Sequence, residues 1–206
     1  MWFTFSSANI VFSTKGIEVA VGTNPQGLAF DGANMWVTNS GSNSVTKFTP
    51  DGTVLGTFSV GTAPVGVAFD GANIWVTNSG SNNVTKLRPS DGSVRGTFNV
   101  GTNPIGAAFD GENIWVTNSG SNNVTKLRVT DGSVQGTFSV GAGPYGLAFD
   151  GANIWVANRG NSVTELVASN GEVLQTISLA GGPQSVAFDG TSIWVTIPSA
   201  NRIQKF

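Results

Sequence analysis

An all-β fold assembled from tandem copies of one four-stranded unit is predicted by three features of the sequence. Five tryptophans, Trp36, Trp75, Trp115, Trp155 and Trp194, recur 39, 40, 40 and 39 residues apart, and a fixed period of this size is the signature of a repeat architecture. The copies around them are nearly identical: residues 71–88 and 111–128 differ only in Ala72 against Glu112. Within each copy, short runs of Val, Ile, Thr and aromatic residues alternate with Gly- and Asn-rich turns, and no helical period is sustained.

The second copy serves as the type. Val65-Gly66-Val67-Ala68-Phe69 is an apolar run closed by Asp70-Gly71, and Asn73-Ile74-Trp75-Val76-Thr77 follows it. Asp-Gly between β-prone runs signals a hairpin, because glycine takes the positive φ that the turn needs. Asn78 to Asn83 is a polar loop, Val84-Thr85-Lys86-Leu87-Arg88 alternates with a period of two, and Asp91-Gly92 turns into Val94 to Val100. Four antiparallel strands in about 40 residues match the blade of a β-propeller, in which radially packed sheets bury both faces. A β-solenoid usually has a shorter rung.

The repeats run at about 22–60, 61–100, 101–140, 141–180 and 181–206. Arg202 to Phe206 matches a third strand, so the last copy lacks a fourth. Ile17 to Gly22 reads as a fourth strand with no first strand before it. Residues 17–21 therefore complete the last copy, and the expected domain, 17–206, is a ring of five blades closed by an N-terminal strand. The alternative is six blades with incomplete terminal blades. Residues 1–16 form a degraded partial repeat in which Trp2-Phe3-Thr4 and Asn9-Ile10-Val11-Phe12 resemble second and third strands. They can pair as a sixth blade, replace the C-terminal third strand or contact another chain. Phe30, Phe69, Phe109, Phe149 and Phe188, set beside Ala29, Ala68, Ala108, Ala148 and Ala187, suit wedge-shaped blades, and the tryptophans are expected between neighbouring sheets with one partner for each indole N–H.

Charged residues make up 11 % of the chain and the net charge is −2, so the basic footprint of a nucleic-acid or anionic-membrane binder is missing. No stretch approaches the ~20 apolar residues of a membrane-spanning helix, and the first residues lack the basic leader and continuous apolar core of a signal peptide. The absence of cysteine excludes disulfides and thiolate metal sites. The absence of histidine removes the commonest general base and a common metal ligand.

Val-Thr-Asn followed by Ser-Gly-Ser-Asn, a strand, Asp-Gly, another strand and Val-Gly-Thr-Asn-Pro, as from Trp75 to Pro104, closely resembles the YVTN family of β-propeller repeats. The resemblance covers residues 17–206, with tryptophan where the family name has tyrosine. It implies a propeller fold and a prokaryotic exported or cell-surface setting. Gly-Ala-Asn-Ile-Trp-Val-Thr is more loosely similar to streptogramin lyases, which work through histidine and magnesium. That activity does not carry over to a chain without histidine, and neither does the axial ligation of haem-binding relatives.

All eight aspartates, Asp31, Asp51, Asp70, Asp91, Asp110, Asp131, Asp150 and Asp189, precede glycine, where a carboxylate accepts turn N–H groups. They are read as turn residues, with a hard cation at the rim as the alternative. Paired-carboxylate chemistry needs two acids in unlike environments, and these are copies. Lys47, Lys86, Lys126 and Lys205, with Glu165 in the fourth copy, are read as a solvated strand face. No catalytic residue, metal ligand or cofactor is assigned.

Scaffold demands act on every blade alike, so positions where the copies disagree are the candidates for function. The residue after the proline is one such position: Gln26, Val65, Ile105, Tyr145 and Gln184 open successive innermost strands around the expected channel mouth. Tyr145 is the sole tyrosine, and Arg159 interrupts the Asn-Ser-Gly loop of one copy only. Together with Asn24, Asn39, Asn78, Asn103, Asn118 and Asn158 these residues suit a shallow pocket for a protein, peptide or glycan. The leading expectation is a binding module. A hydrolase or lyase with a cation in the channel, and a scaffold with no activity of its own, are the alternatives.

Overall fold

The computed structural model describes residues 16–206, and its sheets follow the repeats. The first blade comprises β1 (Pro25–Phe30), β2 (Met35–Asn39), β3 (Ser44–Phe48) and β4 (Val54–Ser59). The second comprises β5 (Pro64–Phe69), β6 (Ile74–Asn78), β7 (Asn83–Leu87) and β8 (Val94–Asn99). The third comprises β9 (Pro104–Phe109), β10 (Asn113–Asn118), β11 (Asn123–Arg128) and β12 (Val134–Ser139). The fourth comprises β13 (Pro144–Phe149), β14 (Asn153–Asn158), β15 (Ser162–Val167) and β16 (Val173–Ser178). The fifth has only β17 (Val186–Phe188), β18 (Ile193–Ile197) and β19 (Arg202–Lys205). Strand order in every sheet is the order along the chain, all antiparallel. The architecture is that of β-propeller blades, four complete and one partial.

Register places the repeated residues in line across each blade. Trp75 faces Ala68 on one side and Lys86 on the other, and the same trio recurs as Ala29, Trp36, Lys47 and as Ala108, Trp115, Lys126. The aspartate of the first turn holds the tryptophan. Asp70 Oδ1 accepts the N–H groups of Ala72 and Asn73, and its Oδ2 accepts the indole N–H of Trp75 at 2.7 Å. Asp31, Asp110, Asp150 and Asp189 do the same for Trp36, Trp115, Trp155 and Trp194. The turn reading of these aspartates stands, and the indole partner is the same side chain.

Blades pack by placing the tryptophan of one against the inner strands of the next. Trp36, Val45 and the ring of Phe58 meet Ile74, Val76 and Leu87 of the second blade, and equivalent clusters join the second to the third and the third to the fourth. Trp36, Trp75 and Trp115 are completely buried; at ~150–250 Å² each, removal from water contributes roughly 4–6 kcal/mol gross per ring.

Three of the four repeated lysines are not on a solvated face; only Lys205 is exposed as expected. Lys47, Lys86 and Lys126 are 9, 8 and 7 % exposed. Each ammonium lies over its own tryptophan, 5.0–5.4 Å from the ring centroid, and donates to a carbonyl in the next blade: Pro89, Val129 and Ala168 respectively. The sequence pattern misleads here because the lysine stem covers apolar surface while its head reaches a backbone acceptor about 40 residues away.

A second clamp comes from the threonine of Val-Thr-Asn. Thr77 Oγ1 accepts the Gly66 N–H at 2.7 Å and donates to the Ile105 carbonyl of the next blade at 2.7 Å. Thr38 and Thr117 bridge in the same way to the carbonyls of Val65 and Tyr145. Gly106 is required at this approach, since a Cβ there would stand 2.6 Å from the Tyr145 oxygen. The fourth blade departs from both patterns. Ala157 replaces the threonine, so the Gly146 N–H bonds the Gln184 carbonyl directly at 3.0 Å. Glu165 replaces the lysine and turns back to accept from Asn153 and Gln175.

The arc is open. β1 packs on β5, β5 on β9, β9 on β13 and β13 on β17, with no comparable packing of β17 on β1. Residues 16–22 form no strand and do not pair with β19, so the closing pairing expected of residues 17–21 is not made. Instead, Ile17 and Val19 lie against Gly52 of the first blade. The free ends expose Leu28 and Phe30 (61 and 52 %) on the first blade and Ile203 (66 %) on the last. The partial repeat expected over residues 1–16 lies, apart from Gly16, outside the described residues.

Candidate functional site

Five innermost strands bring their opening residues to one end of the arc. Gln26, Val65, Ile105, Tyr145 and Gln184 line a single cavity of about 330 Å³ floored by strand-one glycines. The threonine clamps explain the placement: each fixes the backbone carbonyl of the site residue in the following blade. Val65, Ile105 and Tyr145 are thus anchored through their main chains, leaving their side chains free to differ. Gln26 donates to the Asn24 carboxamide oxygen at 2.9 Å, which sets one amide at the rim.

Arg159 is not in the cavity wall. Its guanidinium stacks on the ring of Tyr145, with Cζ 3.6 Å from the centroid, a cation–π arrangement that leaves the in-plane N–H donors directed outward. The backbone explains how it gets there. The Arg159 N–H bonds the Gly143 carbonyl at 3.0 Å, as the Ser79 N–H bonds that of Ala63 in the second blade, so the entry to the loop is kept although the loop is one residue shorter, Asn158 pairing with Ser162 where Asn78 pairs with Asn83. The Arg159 carbonyl abuts Gly182 of the fifth blade. Tyr145 and Arg159 therefore form one platform at the junction where both inter-blade clamps are replaced.

The asparagines expected on this face divide. Asn39, Asn78, Asn118 and Asn158 are completely buried, and their amides donate to Thr46, Thr85, Thr125 and Thr164 across each blade. They brace the second and third strands and are unavailable to a ligand. Asn24 and Asn103 take positive φ, 55 and 53°, as turn residues.

The larger concavity is at the opposite end. A groove of about 690 Å³ between the third and fourth blades is bordered by Glu112, Lys126, Arg128, Gln135 and Asn170. Sequence reasoning missed it, although its signal was present: Glu112 stands where Ala72 does. Much of its polarity is already engaged. Lys126 bonds the carbonyls of Ala168 and Ser169, and Arg128 bonds Asp131 and Gln135.

The carboxylates are engaged as well. Hydrogen bonds from the Ser93 hydroxyl and N–H, with Arg88 alongside, bring Asp91 down to about 2. The Trp194 indole and the Ser192 and Thr191 N–H groups lower Asp189. Partial burial raises Asp31, but the Trp36 indole and the Asn34 and Ala33 N–H groups outweigh it, and the net shift is downward. Among the described residues no three acidic side chains converge in a metal-binding group.

No family model and no curated protein matches the chain. Among solved structures, it superposes on a functionally unknown protein from Desulfotomaculum acetoxidans with a TM-score of 0.77 at 17 % identity, covering 91 % of this chain and 70 % of that one. Kuenenia stuttgartiensis hydrazine synthase follows with a TM-score of 0.75 at 20 % identity, covering 89 % of this chain and 58 % of that one. At these identities the likeness concerns the fold alone.

Proposed function

We propose that this chain is a non-enzymatic binding module, a YVTN-type propeller in an exported or cell-surface setting, that recognises a protein, peptide or glycan through the face bearing Gln26, Val65, Ile105, Tyr145, Gln184 and Arg159. The observation that carries the reading is the Tyr145–Arg159 stack beside the cavity. The two residues that depart most from the repeat are in contact with each other, which independent drift does not require. An aromatic ring, outward guanidinium donors and amides at Gln26 and Gln184 suit a neutral or acidic polar ligand with an apolar face.

The test is capture on glycan and peptide arrays, followed by titration of the best ligand. Tyr145→Ala and Arg159→Ala should each weaken binding by ~5–30-fold, the equivalent of about 1–2 kcal/mol, with unchanged melting temperature. The inter-blade groove supports a second reading because its volume is larger and Glu112 is peculiar to it. Binding that survives both platform substitutions and is lost in Glu112→Ala would move the site there.

A further inference from the structure

We infer that the ligand of the Tyr145–Arg159 face is an acidic saccharide, its sugar ring seated in the cavity against Tyr145 and its carboxylate held by Arg159; this rests on the binding reading above and names the chemistry that the face selects. Charge is segregated along the blades. The loops between strands two and three, and those leading from one blade to the next, contain no aspartate or glutamate. Every acidic residue of the chain falls among the described residues, and all lie toward the opposite end. The aspartates, Glu112 and Glu172 are in the other turns, Glu165 bonds Asn153 there, and Glu18 stands between Ile17 and Val19, which lie against Gly52.

Arg159 thus stands without a carboxylate partner. The ion pairs that arginines form among the described residues, Arg88 with Asp91 and Arg128 with Asp131, are both at the acidic end. Stacking on Tyr145, with Cζ 3.6 Å from the ring centroid, fixes the plane of the guanidinium. A fixed and unpaired fork of N–H donors matches a carboxylate bidentately. Arg202, which opens β19 on the same end, adds to the positive potential that draws an anion there.

The cavity favours a sugar over a peptide. Peptide carboxylates and added strands are captured through main-chain donors, and those at the cavity floor are taken. The N–H groups of Gly27, Gly66 and Gly106 go to the hydroxyls of Thr38, Thr77 and Thr117 at 2.7–2.8 Å, and that of Gly146 goes to the Gln184 carbonyl. What remains is side chains: the Gln26 amide, whose Nε2 is held by Asn24, with Gln184 and Ser185 in the same wall. Amides and hydroxyls both donate and accept, as sugar hydroxyls require, and Tyr145 offers an aromatic surface to the C–H face of the ring. A volume of about 330 Å³ is at the small end of ligand cavities and suits one ring.

The test uses the full chain against oligosaccharides ending in a uronate or a sialate, each beside its carboxyl-reduced counterpart, with an acidic peptide as a further arm. By titration, at least one acidic saccharide should bind about tenfold or more tightly than its reduced form. Arg159→Gln should remove that difference, weakening the acidic form while the reduced form stays within about twofold, and Tyr145→Ala should weaken both. Melting temperatures should stay within about 2 °C of the unsubstituted chain, since Arg159 is exposed. Equal affinity for a saccharide and its reduced form, still lost in Tyr145→Ala, would overturn the carboxylate assignment and leave the face standing as a binding site. Failure of every acidic saccharide to bind at about 1 mM would overturn the proposal too, and peptide capture lost in Tyr145→Ala would then keep the face. Acidic-saccharide binding untouched by both substitutions would overturn the proposal and the face together.

Discussion

Replacing Lys126 with methionine keeps most of the stem that packs in the third blade and removes only the ammonium. Two hydrogen bonds to the Ala168 and Ser169 carbonyls, 2.7 and 3.0 Å long, are lost, and charged donors contribute about 1.5–3 kcal/mol net. The position over Trp115, 5.3 Å from its centroid, adds roughly 0.5–1 kcal/mol. Relief of the buried charge offsets part of this, leaving a net loss of about 2 kcal/mol. For a domain of this size that corresponds to ~4–8 °C in melting temperature, readable by calorimetry and by urea denaturation. Lys205→Met is the matched control. Lys205 holds the same place over Trp194, at 5.5 Å, but is exposed and has no carbonyl acceptor among the described residues, so its loss should stay within about 0.5 kcal/mol. Equal shifts in the two variants, or a Lys126→Met shift below about 1 °C, would refute the inter-blade clamp.

Thr77→Val preserves shape but leaves the Gly66 N–H and the Ile105 carbonyl without their shared hydroxyl; urea denaturation should report a loss of about 1–3 kcal/mol. Gly106→Ala would drive a Cβ into the Tyr145 carbonyl, costing on the order of 3 kcal/mol and weakening ligand capture by displacing Tyr145, which array binding and denaturation measure together. Stability should be flat from pH 8 to 5, because the chain has no histidine, and should fall at lower pH. Asp31, Asp91, Asp150 and Asp189 have folded values below the ordinary carboxylate value, so their contribution is complete above about pH 4 and is lost as pH drops through the folded values. A melting temperature that rises on acidification from pH 5 to 3 would contradict the turn assignment.

The blade was legible in the sequence because its determinants are local. Asp-Gly turns, period-two runs and one tryptophan per repeat specify four short strands before any long-range contact is considered. Comparison of copies also singled out Gln26, Val65, Ile105, Tyr145, Gln184 and Arg159, because a site can differ between blades where a scaffold cannot. The convergence of the first five on one cavity, with threonine bridges holding the carbonyls of Val65, Ile105 and Tyr145, and the stacking of Arg159 on Tyr145 beside it were decided only in three dimensions. The same holds for the lysines and asparagines. Their polar character and regular spacing read as surface, yet acceptors in the next blade, or hydroxyls across the same blade, let them be buried. The open arc was legible only as the alternative of incomplete terminal blades, because it turns on whether residues 17–21 pair with β19 at the far end of the chain, and in the structure Ile17 and Val19 lie against Gly52 of the first blade instead.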